Sequence, residues 1–145
     1  MSEYKVVNPA TNETEREFEA ATDADIQQVL ERSDRAYQAW RGTAKTERTK
    51  VLQAVAELYK ERMDDLAALI TREMGKPIRE AKGEIMLVIS IYKYYADQGP
   101  ALLEDAPLSP RAGGTALIRK EPVGPLLGIM PWNFPYYQEI GRAHV

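Results

Sequence analysis

The sequence predicts an α/β protein that is rich in helix, with a short β-hairpin near its amino terminus and two strands at its carboxyl-terminal end. Two observations lead to this prediction. Apolar residues recur at intervals of three and four across residues 26–95, which is the period of an amphipathic helix. At both ends of the chain, proline, glycine and asparagine separate short runs of β-tolerant residues, which is typical of strands joined by turns.

The composition excludes several classes of protein. The 145 residues suffice for one domain, and contents of 44% hydrophobic and 28% charged residues are typical of a soluble globular protein. The net charge of −3 leaves no basic surplus, so we expect no nucleic-acid partner. With no cysteine, the chain forms no disulfide and no thiolate metal site. It contains neither a signal peptide nor the roughly 18 apolar residues of a membrane span, so we expect a cytoplasmic protein without a membrane partner.

The first part of the chain is predicted to form a hairpin and then a helix. Residues 4–7 and 15–18 are β-tolerant runs on either side of the turn-forming "NPATNET". Thr22 and Asp25 then have the spacing of a capping box, in which each residue satisfies a backbone N–H of the other. Apolar residues follow at helical spacing as far as Gly42, which predicts an amphipathic helix.

Two longer helical patterns follow. Thr46 is placed to cap the first of them, which is expected to break near Met63 and to stop at Gly75. Pro77 suits the first turn of the next helix, which is expected to end at Gly99-Pro100. The run "IMLVISIYKYY" in that helix is apolar almost all round, so the helix needs packing partners beyond the two helices before it.

The carboxyl-terminal part is predicted as a loop and two strands. "EDAPLSPRAGG" has the proline and glycine content of a loop, and "TALIRKEPVGPLLGIM" contains two strand-like runs. The second run is nearly all apolar, as in a strand that is covered on both faces. Such a strand needs neighbours to fill its hydrogen-bond ladder, so we expect a crossover helix and further strands after Gln138.

Three motifs have both functional and structural explanations. The Gly75-Lys76 pair lacks the upstream glycine and the following serine or threonine of a phosphate-binding loop, so a helix C-cap is favoured. Glu80 and Glu84 are spaced for a metal or acid–base pair, but interleaved basic residues favour a solvated charged face. Of the tyrosines at 92, 94 and 95, two are expected in the core and none receives a function. We assign no metal site.

The stretch "PWNFP" is the strongest candidate for a functional site. Its two prolines fix a rigid bend directly after the predicted buried strand, where open α/β sheets bind their ligands. The side-chain amide of Asn133, at the centre of the bend, can donate to an oxyanion, and one such donor contributes about 2.7–4 kcal/mol. On the residues alone, an asparagine that satisfies its own turn is the favoured alternative.

The stretch "EPVGPLLGIMPWNFPYYQ" resembles the aldehyde dehydrogenase superfamily, in which it forms the first strand of the cofactor domain and the turn after it. Earlier segments, including "VVNPATNE" and "ERTKVLQAVAELYKERMDDLAALITREMGKP", resemble the same family in order and spacing, so the resemblance covers residues 4–138. It implies that residues 1–138 are the amino-terminal portion of such an enzyme. This portion would contain the start of the cofactor-binding domain and part of the oligomerisation strands, and it would stop before most of the Rossmann-like sheet. "EMGKP", "GIMPWNFPYYQ" and "IYKYYAD" further resemble the bacterial succinate-semialdehyde dehydrogenase branch.

The resemblance implies roles for five residues. Asn133 matches the asparagine whose side-chain amide helps to hold the oxyanion when a catalytic cysteine attacks an aldehyde. Ile129, Met130, Pro131 and Trp132 match the strand end that packs against the nicotinamide end of NAD or NADP. The full-length enzyme is expected to oxidise an aldehyde, with succinate semialdehyde as the expected substrate, and to form a homodimer or homotetramer.

The same resemblance locates the rest of the catalytic machinery outside these residues. The nucleophilic cysteine and the glutamate general base of the family would both follow Gln138, so we expect the chain to be inactive alone. A non-catalytic helical interaction module is an alternative from another class. A second alternative is an acylating aldehyde dehydrogenase, which releases its thioester to coenzyme A.

Residues 139–145, "EIGRAHV", do not continue the family pattern. They can be written back into the codons GAG ATC GGA AGA GCA CAC GTC, and from its second base this string is the start of a widely used sequencing-library adapter. The adapter's next triplet in frame is TGA, a stop codon. We therefore expect residues 139–145 to be a non-native tail from adapter read-through, and we give the single histidine, His144, no catalytic role.

Overall fold

The computed structural model describes residues 4–111 and 113–142, with only the backbone described for residues 141 and 142. In chain order the elements are β1 (Tyr4–Val7), β2 (Thr14–Phe18), α1 (Asp23–Trp40), α2 (Lys45–Glu61), α3 (Met63–Met74), α4 (Ile78–Leu102), β3 (Ala106–Leu108), β4 (Ala116–Ile118) and α5 (Pro135–Arg142). Helices joined to short antiparallel strands confirm the predicted fold class.

The strands form two separate antiparallel pairs. β1 pairs with β2 as predicted, with a bulge between Val6 and Val7. β3 pairs with β4, although β3 lies in a segment that we predicted to be a loop. Pro107 of β3 lies opposite Leu117, and a proline is tolerated there because both strands of a two-stranded sheet are edges. The missing N–H of Pro107 therefore does not interrupt the hydrogen bonds of a central strand.

Helix α1 is stabilised locally rather than by burial. Thr22 and Asp25 form the predicted capping box: the backbone N–H of Asp25 donates to Thr22 Oγ1 at 3.2 Å, and that of Thr22 donates to Asp25 Oδ2 at 2.9 Å. None of the residues in α1 is buried, and Ile26 and Leu30 on its apolar face are 49% and 60% exposed. The helix thus forms as predicted without contributing a buried side chain to the core.

Helices α2, α3 and α4 build the core. The break between α2 and α3 lies at residue 62, as predicted, but the cap predicted at Thr46 is wrong. The carbonyl of Ala44 already accepts the first helical hydrogen bonds, from the N–H groups of Glu47 and Arg48, so α2 begins before Thr46. The centre of the core consists of Ala67, Ile70, Ala81 and Ile85.

Helix α4 is longer than predicted. It runs two residues past Pro100 because a proline near the last turn removes only one helical hydrogen bond. Its inner side packs on α2, α3 and α5, while Met86 and Leu87 are 61% and 45% exposed. Among the described residues, no helix has both the length and the apolar content that crossing a membrane requires.

Residues 123–132, which we call the apolar arm, include the first two residues of "PWNFP" and form no strand; the turn proper, residues 133–135, follows them. The strand predicted in this region is wrong for the structure described, and the second carboxyl-terminal strand is β3 instead. A backbone forms a strand only where another strand accepts its ladder bonds, and no described strand pairs with the arm. Leu127 and Ile129 are accordingly 89% and 77% exposed.

Candidate functional site

The "PWNFP" turn leads directly into helix α5. Pro135 occupies the first helical position, where the missing N–H of proline costs nothing. The carbonyl of Phe134 accepts from the N–H of Gln138 at 3.0 Å, so the helix starts here. Phe134 has no side-chain acceptor, whereas the next N–H groups, those of Tyr136 and Tyr137, need one. The cap of α5 must therefore come from another part of the chain.

Glu84 of α4 provides that cap. Its Oε1 accepts from the N–H groups of Tyr136 at 3.0 Å and Tyr137 at 3.2 Å. A carboxylate at this end of a helix also interacts favourably with the helix dipole. Glu84 is only 4% exposed, so the predicted solvated face is wrong for Glu84, although Glu80 is exposed. The reason is helical geometry: Glu84 shares its side of α4 with the buried residues Ala81 and Ile85.

Lys76 lies against the same carboxylate. It follows Gly75, whose φ of 75° ends α3 as predicted, and it precedes Pro77, which caps α4 rather than entering its first turn. A side chain at position 75 would also meet Pro9 at 3.2 Å, so this sharp connection suits glycine. The connection directs the Lys76 side chain inward, where only 7% of it is exposed.

The ammonium group of Lys76 has three neighbours. It lies 2.5 Å from Glu84 Oε2, donates to the backbone carbonyl of Asn133 at 2.8 Å, and sits 3.8 Å from the centre of the Phe134 ring. We call Lys76 and Glu84 the buried clamp. Removing two charges from water is costly unless their remaining hydrogen-bonding capacity is used, and here both oxygens of Glu84 have partners. The Gly75-Lys76 and Glu80/Glu84 patterns do not predict that Lys76 and Glu84 pair.

One signal in the sequence points to the clamp in retrospect. A helix that starts with Pro135 after a phenylalanine needs an external cap, and Glu84 is the acidic residue at a core position of the preceding long helix. Helical spacing from Ala81 and Ile85 identifies that position. The partner, Lys76, has no comparable signal, because its inward direction depends on the connection between α3 and α4.

Asn133 is exposed, and the contact that fixes it is made by its backbone. Because Lys76 holds the carbonyl of this residue, the peptide plane after Asn133 has a defined direction. The side-chain amide is left accessible beside the start of α5. Its role in binding an oxyanion stays a prediction.

The residues predicted to contact a cofactor lie side by side at the end of the apolar arm. Ile129 and Trp132 are 77% and 74% exposed, Pro131 is exposed, and Met130 is half-buried. Their contact with a cofactor stays a prediction. The sequence contains no G-x-G-x-x-G loop to hold a pyrophosphate, so the prediction is limited to one wall of such a site.

An open cleft lies next to the turn and shares Trp132 with the residues predicted to contact a cofactor. It has a volume of about 500 Å³ and is bordered by β1, α3, Trp132 and Tyr136. Asn133 does not line this cleft. Most of its lining side chains are apolar, with Lys5 and Glu73 as the charged exceptions, so we give it no catalytic role.

A cluster of three tyrosines packs α5 onto the core. The ring of Tyr59 lies 5.7 Å from that of Tyr92 and 5.6 Å from that of Tyr136, the latter edge to face. Burial raises the pKa of all three above the ordinary value of 10.0, so they are neutral at physiological pH. Tyr92 and Tyr95 are half-buried and Tyr94 is exposed, so two of the three are partly covered, but neither is among the buried residues of the core.

Comparisons with known proteins agree with this architecture. The model of the aldehyde dehydrogenase family matches residues 1–143. The succinate-semialdehyde dehydrogenase [NADP(+)] of Deinococcus radiodurans is 47% identical over 140 residues, which are 97% of this chain. The succinate-semialdehyde dehydrogenase [NADP(+)] 1 of Mycobacterium tuberculosis H37Rv is 38% identical over 139 residues, or 94% of the chain.

A solved structure gives the same result for the fold. The succinic semialdehyde dehydrogenase of Streptococcus pyogenes, crystallised with NADP+ as the cofactor, superposes with a TM-score of 0.89 at 38% identity over 94% of this chain. The match covers 30% of that structure, and the chain spans 29% of the length of the Deinococcus enzyme. Residues 1–143, which the family model matches, include the clamp and the turn. The chain belongs to the aldehyde dehydrogenase family.

Proposed function

We propose that this chain is the amino-terminal part of an NADP- or NAD-dependent aldehyde dehydrogenase that oxidises succinate semialdehyde to succinate. The observation that supports the substrate most directly is the 47% identity to a relative with that activity in its name, across 97% of the chain. The names of this relative and of the Mycobacterium enzyme specify NADP, which favours NADP over NAD as the cofactor. The complete enzyme, in this proposal, extends beyond Gln138 and forms a homodimer or homotetramer.

Asn133 is the catalytic residue that this chain contributes. When a nucleophile adds to the aldehyde carbon, the carbonyl oxygen gains negative charge and the carbon becomes tetrahedral. A preorganised amide donor stabilises that charge more than it stabilises the neutral aldehyde, so it lowers the barrier rather than only strengthening substrate binding. The exposed side chain on an anchored backbone supports this role for Asn133.

Ile129, Met130, Pro131 and Trp132 would form one wall of the nicotinamide site. The bound cofactor supplies a hydride acceptor, and the wall would exclude water from one face of the ring. The open apolar surface at Ile129 and Trp132 supports this assignment, since an exposed surface of this kind commonly receives a ligand or another segment. These residues would act by contact, without titrating.

The proposal is tested first at the level of the gene. Sequencing genomic DNA past codon 138 should show an open frame that later encodes a cysteine in a glycine-rich context. It should not show codons for "EIGRAHV" followed by a stop, because we propose that residues 139–145 come from adapter read-through. A genomic stop after "EIGRAHV" would instead support a short, non-catalytic module.

The catalytic role is tested in the complete enzyme with succinate semialdehyde and either cofactor. Asn133→Ala should lower kcat by about 10²–10³ and leave the Kd for NADP nearly unchanged, because the lost donor acts on charge present only during the reaction. Gln98→Ala, which removes an exposed amide from α4, is the matched control and should have no effect. An unchanged kcat for Asn133→Ala, with acylation rate-limiting, would remove Asn133 from the oxyanion site.

A further inference from the structure

We infer that Lys76 and Glu84 are positioning residues that set the direction of the Asn133 amide through the backbone of the turn. The inference rests on the proposed role of Asn133 as an oxyanion donor. Neither side chain reaches the side-chain amide in the structure: Lys76 holds the carbonyl of Asn133, and Glu84 holds the N–H groups of Tyr136 and Tyr137. The clamp therefore acts on backbone atoms on both sides of Pro135.

The two sets of contacts form a closed arrangement. Lys76 and Glu84 bind each other, and each then binds the same short segment at points three or four residues apart. Rotating the turn about its long axis would break hydrogen bonds at both points, and each of these bonds has a charged partner. Charge-assisted hydrogen bonds of this kind are about twice as strong as neutral ones. The backbone of residues 133–137 is thus held at two places by one ion pair.

The Phe134 ring adds a third contact on the same side. Its centre lies 3.8 Å from Lys76 Nζ, and the ring meets that of Tyr137 at a tilt of 76°. A cation over an aromatic face gains about 0.5–2 kcal/mol, depending on its exposure to water. Phe134 therefore keeps the ammonium group beside the turn without adding a third buried charge. It also offers a mild way to loosen the clamp.

The other side of the turn has no comparable anchor within the described residues. Trp132 is 74% exposed and Ile129 is 77% exposed, so the apolar arm constrains the turn little. The direction of the Asn133 amide consequently depends on the contacts at its own carbonyl and at the N–H groups of Tyr136 and Tyr137. A displacement of about 1 Å at a catalytic group can reduce the rate up to 10²-fold, so loosening these contacts should be visible in kcat.

A double-mutant cycle in the complete enzyme tests the inference. Glu84→Gln keeps the size of the side chain but removes the charge that pairs with Lys76. We expect kcat for succinate semialdehyde to fall about ten- to a hundredfold, while KM and the Kd for NADP change less than twofold. In an Asn133→Ala background the same substitution should have no further effect on kcat, because the group being positioned is gone.

Two additional variants keep the test decisive. Lys82 lies in α4, two residues before Glu84, and forms an exposed ion pair with Asp64 of α3. Lys82→Met removes this ion pair and should leave kcat unchanged both in the otherwise unchanged enzyme and in the Asn133→Ala variant. If Glu84→Gln does not fold, Phe134→Leu replaces it, with a smaller fall in kcat that is again absent in the Asn133→Ala background. Hydrogen exchange should show faster exchange at the Tyr136 and Tyr137 amides in Glu84→Gln.

The outcomes separate this inference from the proposed function. If Asn133→Ala itself leaves kcat unchanged, the proposed catalytic role fails. If Asn133→Ala lowers kcat but Glu84→Gln lowers it by the same factor in both backgrounds, the catalytic role stands and the positioning role is overturned. Additive effects would mean that the clamp only stabilises the fold.

Discussion

Two neighbouring segments of the chain, the apolar arm and the turn that follows it, reverse the usual relation between apolar sequence and burial. The arm has the composition of a fully covered strand, yet Leu127 is 89% exposed. The turn is held by two charged residues that are 7% and 4% exposed, Lys76 and Glu84. Hydrophobicity therefore indicates whether a segment can be buried, whereas the presence of fixed partners decides whether it is buried.

The physical difference lies in where each segment finds its partners. A strand needs a neighbour along its whole length for its backbone hydrogen bonds, and the described chain offers none to the arm. The turn needs only an acceptor for the first N–H groups of α5 and a donor for one carbonyl, and α4 together with the connection before it supplies both. Two side chains are enough to anchor the turn.

We expect the largest effect when an apolar side chain is shortened to alanine in the core beside Glu84 and, for comparison, in the arm. In the 145-residue chain, Ile85→Ala should cost about 2–5 kcal/mol of unfolding free energy because Ile85 is fully buried, whereas Leu127→Ala should stay within about 0.5 kcal/mol. In the complete enzyme, where the residues proposed to follow Gln138 would cover the arm, Leu127→Ala should also become costly. Urea unfolding followed by circular dichroism measures both.

This prediction can fail in two ways. A large cost for Leu127→Ala in the 145-residue chain would show that the arm is already packed there. An equally small cost in both proteins would show that the arm stays exposed in the complete enzyme, and the assignment of Ile129 and Trp132 to a cofactor wall would lose its basis.

Self-association is the next largest expected effect. Expressed alone, the 145-residue chain should associate because the arm and the apolar face of α1 are exposed. Replacing Leu127 and Ile129 by glutamate should reduce the associated fraction several-fold in light scattering and sedimentation. The control, Gln28→Glu with Gln53→Glu, changes the net charge equally, from −3 to −5, at exposed polar positions. If the control reduces association as much as the arm variant does, charge repulsion between the chains explains the reduction, and the exposed arm does not.

The smallest expected effect concerns the tyrosines that hold α5 in place. Burial raises the pKa of Tyr136, Tyr59 and Tyr92 above 10.0, so the folded chain keeps protons that the unfolded chain loses near that pH. Their contribution to stability is present below about pH 10 and is lost as the pH rises further. Tyrosinate absorbance should show a late-ionising fraction that shrinks in Tyr136→Phe. Ionisation of all tyrosines in one early step would contradict the packing of this cluster.

Several errors in prediction have one physical cause. The charged neighbours of Glu84 in the sequence predict that its side chain is exposed to solvent, but its side of α4 faces the core. Thr46 looked like a cap, but Ala44 begins α2 because its carbonyl is already bonded. The segment of β3 looked like a loop because of its prolines, yet a two-stranded sheet tolerates Pro107. In each case a contact that the sequence pattern does not show decided the outcome.

Features that depend on residues close together in the chain can be predicted from the amino-acid sequence. The capping box at Thr22, the break between α2 and α3, the stop at Gly75 and the first hairpin all follow from hydrogen bonds or backbone preferences within a few residues. The sequence also predicts the family, because the "PWNFP" stretch and its surroundings are specific. These features need no knowledge of distant partners.

The contacts that hold the candidate site, in contrast, come from residues that are far apart in the chain. Lys76 and Glu84 are separated by 8 residues and come from different structural elements, and they meet a turn that lies 57 residues after Lys76. A buried charge is stable only when its partners lie at hydrogen-bonding distance in the right geometry. No local sequence pattern predicts that geometry, because the partners come from distant parts of the chain. The exposure of the apolar arm has the same origin, since burial of a strand depends on neighbours that lie far away in the chain.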